Sequence, residues 1–131
     1  MSHLLDVNLL LACAWSSHPD HVRANRWLNS TAAFATAAVT QMGFLRVSLS
    51  TASGASFGDA RSALASILAM RSHRFLPDAT PAAALPELAT GREVTDAHLV
   101  RLAASHGLKL ATLDASLCRK PWASGVAENP L

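Results

Sequence analysis

The segment HLLDVNLLLACAW, residues 3–15, constrains the fold more than any other part of the chain. Apart from His3, Asp6 and Asn8 it holds only apolar or small residues. An ionised carboxylate inside such a run is costly unless something compensates it. The run is too short to span a bilayer, which takes about 20 apolar residues. LLAC at residues 10–13 resembles a lipoprotein cleavage site, but no basic stretch precedes it and Asp6 interrupts the apolar run. The expected reading is therefore a short buried strand, HLL, ending at Asp6, followed by a buried helix from Asn8, in a soluble cytoplasmic protein.

The same alternation of short apolar strand and helix continues along the chain. A helix is expected within SSHPDHVRANRWLNS, entered through Ser17 and Pro19, with Ala24, Trp27 and Leu28 on one face. AFATA, residues 33–37, is a candidate strand. Residues 39–50 place Val39, Met42, Leu45 and Leu49 at helical spacing. Ser56, with Asp59 three residues on, caps a helix whose apolar stripe is Phe57, Ala60, Leu64, Ile67 and Leu68. RFLPD reads as a strand ending at Pro77. Residues 78–93 form a connection with a helical turn from Pro86. Thr95 is the expected N-cap of the next helix, with Asp96 in its first turn and Gly107 at its end. LKLATL, residues 108–113, is a strand with Asp114 at its carboxyl end, and SGVAEN a small edge strand. This order predicts one domain over residues 1–131, an α/β layer fold with a mainly parallel sheet.

Composition narrows the class. Half of the 131 residues are apolar, enough for a real core, and a net charge of +2 is too small to imply nucleic-acid binding by itself. Nine arginines stand against two lysines, which suits phosphate recognition but also follows from genome composition. Cys13 and Cys118 lie far apart, in no metal-ligand pattern, and read as free thiols. His98 and His106 are too widely spaced for the helical two-histidine metal motif. Neither a phosphate-cradling glycine loop nor a G-x-S-x-G elbow occurs.

Three aspartates share one kind of position. Asp6 and Asp114 follow apolar strands, and Asp96 opens a helix. Ligands of open α/β sheets collect at the carboxyl ends of strands. Three carboxylates converging there would repel, so that their pKa values rise or a cation neutralises them. An all-oxygen set selects Mg²⁺ or Mn²⁺. Taken singly, Asp96 is explained by the helix dipole and Asp114 by capping the next turn. Asp6, buried without an adjacent cation, is the one that resists a bland explanation.

LLDVNLLLA, TQMGFLRVS, VTDAHLVRLAASHG and LKLATLD, in that order, resemble a PIN domain, and more narrowly a VapC-type toxin of a bacterial toxin–antitoxin pair. The resemblance covers residues 4–117 and implies a three-layer α/β/α fold with a short, mainly parallel sheet. It further implies an Mg²⁺- or Mn²⁺-dependent endoribonuclease, a homodimer, an RNA substrate (tRNA the commonest) and a cognate VapB-type antitoxin. The family's first, third and fourth acidic residues match Asp6, Asp96 and Asp114, which would bind the metal and carry catalysis. Asn8 and Thr112 match its supporting polar positions. The second acidic position, usually glutamate, falls on Gln41, which keeps an acceptor oxygen without the charge. Arg92, just before the helix of Asp96, and Arg46 are placed to contact RNA phosphate or to make surface salt bridges. A D-x-D phosphatase is disfavoured because Asn8 stands where a second carboxylate is needed. The serious competitor is a weak or inactive PIN-like domain that binds RNA or a partner protein.

Overall fold

The computed structural model of the chain describes residues 2–50 and 54–131. Five strands form one sheet: β1 (His3–Leu5), β2 (Phe34–Ala37), β3 (His73–Leu76), β4 (Lys109–Ala111) and β5 (Ala127–Glu128). Their spatial order is β3-β2-β1-β4-β5 and every neighbouring pair is parallel. The helices are α1 (Val7–Ala14), α2 (His21–Ser30), α3 (Ala38–Ser48), α4 (Phe57–Leu68), α5 (Val94–Ser105) and α6 (Ala115–Cys118). None of them is long and apolar enough to cross a membrane.

Strand side chains alternate between two cores, as a sheet covered on both faces requires. Leu4, Ala35, Ala37 and Leu110 pack with Leu99, Leu102 and Ala103 of α5. Leu5, Phe34 and Ala111 point the other way, into a core built with Leu9, Phe44 and Leu64 of α1, α3 and α4. The result is the α/β layer fold expected from the alternation of strand and helix, in the three-layer α/β/α form that the family resemblance implies. Both cysteines are free thiols; burial pushes that of Cys13 up to about 12, which leaves it inert at neutral pH.

Several local expectations are corrected. α2 begins at His21 behind Asp20, not at Ser17 or Pro19. The face α3 buries is Thr40, Gly43, Phe44 and Ser48, while Met42 and Leu49 are exposed. The reason is close approach: a Cβ on Gly43 would lie 2.6 Å from Val7 Cγ2 of α1, so the contact selects a residue without a side chain. Phe57 is half exposed at the start of α4. The turn expected from Pro86 lies instead at Ala82–Ala84, as a 3₁₀ turn. A second 3₁₀ turn, Gly91–Glu93, leads into α5, so Thr95 lies inside the helix and Thr90 begins the turn. β4 stops at Ala111, before Thr112 and Leu113.

Candidate functional site: an acidic crevice at the carboxyl edge of the sheet

β1 and β4 are neighbours in space, although β1, β2 and β3 run one way across the sheet and β4 and β5 extend the other. Their carboxyl ends therefore frame the point where the winding reverses, the usual ligand crevice of such sheets. Asp6 stands at the end of β1 and Asp114 three residues past β4. α5 leads into the parallel strand β4, so its first turn, with Asp96, lies at the same edge.

Each aspartate stands at the start of a helix. Asp6 caps α1: its Oδ1 accepts from the Val7 N–H at 2.8 Å. Asp114 caps α6: its Oδ1 accepts from the Ser116 and Leu117 N–H groups at 2.9 and 3.2 Å. Asp96 lies in the first turn of α5. The capping explanation of Asp114 is thus correct, and it also leaves the second carboxylate oxygen unused by the cap.

Thr112 ties the group together. Its hydroxyl is fully buried and donates to Asp6 Oδ2 at 2.8 Å. The same oxygen accepts from the Asp114 N–H at 3.1 Å and from Asn8 Nδ2 at 3.3 Å. Asn8 Oδ1 in turn accepts from the Leu113 N–H at 3.1 Å. One proton and two lone pairs are all that a threonine hydroxyl offers, and all three are used. Asn8 and Thr112 therefore set the angle between the two strand ends and the orientation of Asp6.

The electrostatics are those of crowded like charges. Asp6 is buried, and burial raises its pKa; the hydrogen bonds from Thr112 and Val7 oppose this, and Asp114 adds to it. Asp96 is pushed up to about 6, first by burial, then by Asp6, Asp114 and Glu93. These mutual effects place the three sequence-identified aspartates within one field. Among the described residues, however, no three His, Cys, Asp or Glu side chains close around a single point.

Gln41 does not join the aspartates by any hydrogen bond. Its Nε2 donates to Thr36 Oγ1 at 2.9 Å, on the β2 side. Arg92 is exposed beside the crevice, where a cleft of 520 Å³ is lined by Arg92, Glu93, Asp96, Asp114, Ser116 and Lys120 among others. Arg46 is exposed in the last turn of α3 and does not line this cleft. Neither arginine makes an ion pair among the described residues.

Glu93 and Lys120 escaped the sequence reading. Glu93 Oε1 accepts from the Ala89 and Thr90 N–H groups, both at 3.1 Å, and its Oε2 pairs with Lys120 Nζ at 3.3 Å. The bridge holds the entry to α5 against the segment after α6. The signal available was Thr90 with Glu93 three residues on, a capping-box spacing.

A parallel α/β/α sheet with carboxylates gathered at its winding reversal defines a class of small domain with an acidic site. The family model described as PIN domain matches residues 3–123, and the chain belongs to that family. Among its relatives is a Mycobacterium tuberculosis protein named ribonuclease VapC38, 41% identical over 121 residues, covering 87% of this chain and 86% of the relative. Another from the same species, ribonuclease VapC39, is 37% identical over 127 residues, covering 89% and 91%. The structure of VapBC2 from Rickettsia felis, bound to a DNA fragment from their promoter, contains a chain with the same fold. The two match over 98% of each chain with a TM-score of 0.63 and 15% identity.

Proposed function

We propose that this protein is an Mg²⁺- or Mn²⁺-dependent endoribonuclease, the toxin of a toxin–antitoxin pair, with Asp6, Asp96 and Asp114 as its metal-binding and catalytic carboxylates. The observation that carries the reading is the Thr112 hub. A buried carboxylate, Asp6, is locked at the end of β1 by a residue beyond β4, in the electrostatic range of two more carboxylates. Structural stability alone gives no reason to build such repulsion. The names of the VapC relatives supply the substrate class, RNA.

The donor set suits a hard dication, being made of carboxylate oxygens. When bound, the cation would supply Lewis acidity to the scissile phosphodiester and acidify the attacking water. Asp6 and Asp114 would hold it through the oxygens that capping leaves free. Asn8 and Thr112 keep Asp6 from turning away. Asp96, raised to about 6, is largely ionised at neutral pH, and an arriving cation would offset its repulsion from Asp6 and Asp114. Arg92 and Lys120 line the cleft beside these carboxylates and would hold the RNA backbone; Arg46, outside the cleft, would meet a more distant phosphate. The proposed partners are a VapB-type antitoxin and a second copy of the chain, and tRNA is the proposed target.

The test uses antitoxin-free protein and total cellular RNA with Mg²⁺, with EDTA, and with Asp6→Asn. Cleavage should vanish in EDTA and fall at least about 100-fold in the variant, the loss typical of a removed catalytic group. Equal cleavage by wild type and Asp6→Asn would assign the activity to a contaminant. Tight RNA binding by an inactive wild type would favour the binding-module reading instead.

A further inference from the structure

The cleft beside Asp96 and Asp114 has a wall that the proposed chemistry leaves unused. Besides Arg92 and Lys120 it is lined by Trp122, its one aromatic residue among those described. Lys120 and Trp122 sit on one short piece of chain. Pro121–Ala123 is a 3₁₀ turn with its proline at the first position, packed on α5. Ala123 is fully buried, and Trp122 is half-buried against the core that Leu99 and Leu117 help to build. Trp122 is thus backed by packing and still borders the cleft. Lys120 is fixed separately. Its ammonium pairs with Glu93, which is itself tied to the Ala89 and Thr90 N–H groups. An ammonium has three donors, so this pair leaves others for a second anion. Arg92, exposed on the same cleft, makes no ion pair among the described residues.

An aromatic residue beside two cations suits a nucleotide: every base has a π-face to stack, and the cations take the phosphate. Asp96 and Asp114 line the same cleft and repel a phosphate, which leaves Arg92 and Lys120 as its place. Packing behind Trp122 and the Glu93 tether on Lys120 fix both before a ligand arrives, so little ordering cost remains. The volume of 520 Å³ lies within the roughly 300–1,000 Å³ of small-ligand pockets. We infer that the cleft is a nucleotide subsite, in which one unpaired base of the RNA stacks on the Trp122 indole while its phosphate lies on Arg92 and Lys120. Trp122 is then a specificity-determining residue that favours RNA with an accessible base. Its bearing on cleavage rests on the nuclease reading; the binding of a nucleotide does not.

NMR and calorimetry on the full-length protein in EDTA read the subsite without catalysis. Trp15, Trp27 and Trp122 each give one indole N–H signal, and its loss in Trp122→Phe assigns that of Trp122. Adenosine 5′-monophosphate should move the Trp122 signal and leave the other two in place. It should bind about 5-fold or more tightly than ribose 5-phosphate, the share that base stacking contributes. Trp122→Leu should bring the two affinities together, and Trp122→Phe, which keeps an aromatic face, should preserve most of the difference. Arg92→Gln should weaken both probes alike. Equal affinities of the two probes for the wild type overturn the inference without any variant having to fold. So do an unmoved Trp122 signal, a preference for the nucleotide that survives in Trp122→Leu, and wild-type affinities in Arg92→Gln. RNA cleavage measured in parallel keeps the two readings apart. Trp122→Leu should raise KM about 5-fold or more with a smaller fall in kcat, and Trp122→Phe should restore it. An inactive wild type that takes the nucleotide at Trp122 would sink the nuclease reading and leave the subsite. An active wild type whose Trp122 ignores the nucleotide would do the reverse.

Discussion

At Thr112 one hydroxyl carries the geometry of the whole acidic group. Replacing it by valine keeps the volume but strands Asp6 Oδ2 and the Asp114 N–H at a buried position. Leaving such groups unmade costs about 1–3 kcal/mol. Thr112→Val should lose that much stability in urea denaturation, while Thr112→Ser, which retains the hydroxyl, should keep most of it. Equal losses in both variants would show that the methyl group, not the hydrogen bonds, matters. Asp6 stood out in the sequence because a lone carboxylate in an apolar run is conspicuous; Asp96 and Asp114, each explicable alone, stood out only through their shared position at a helix start and a strand end and through the family resemblance. Glu93 and Lys120 were not, since a charged residue in a connection is ordinarily solvated, and only the folded chain brings residue 93 to residue 120.

Among the elements, α1 and α3 meet where Val7 faces Gly43. Gly43→Ala should destabilise the protein by about 1–3 kcal/mol through overpacking. Val7→Ala in the same chain should recover most of the loss, since it removes the methyl that the new Cβ meets. A thermal melt of single and double variants checks this; additive losses would place the strain elsewhere. The contact also explains why the order of elements was readable and the face of α3 was not. Hydrophobic periodicity weighs apolar character, and pointed to Met42 and Leu49. Close helix packing weighs size, and buries Thr40, Gly43 and Ser48 instead. The start of α5 was misplaced for a similar reason: both Thr90 and Thr95 are plausible caps, and a 3₁₀ turn between them is invisible to periodicity.

For the molecule as a whole, the acidic crevice is a cost at neutral pH. Asp96 titrates near 3.8 when unfolded and about 6 when folded. The folded state binds more protons in that interval, so stability falls as pH rises through it and stays at the lower level above. Asp96→Asn should therefore raise the Tm near neutral pH by a few degrees, a gain moderated by the partial exposure of the side chain, and should change little near pH 4. Mg²⁺ should raise the wild-type Tm near neutrality and much less near pH 4, where Asp96 is protonated, and less in Asp96→Asn at either pH. A neutral-pH Tm equal in wild type and Asp96→Asn would mean that the charges are too far apart to matter.

The hydrogen bond from Thr112 to Asp6 joins residues 106 positions apart, and the Thr112 N–H donates to the Glu128 carbonyl of β5. Asp6 leaves the ribosome 106 residues before the hydroxyl that holds its Oδ2. Until Thr112 follows, the chain carries Asp6 and Asp114 unassembled. An enzyme that attacks RNA, as proposed, would thus gain its site only after the segment beyond β4 has been made and has met β1.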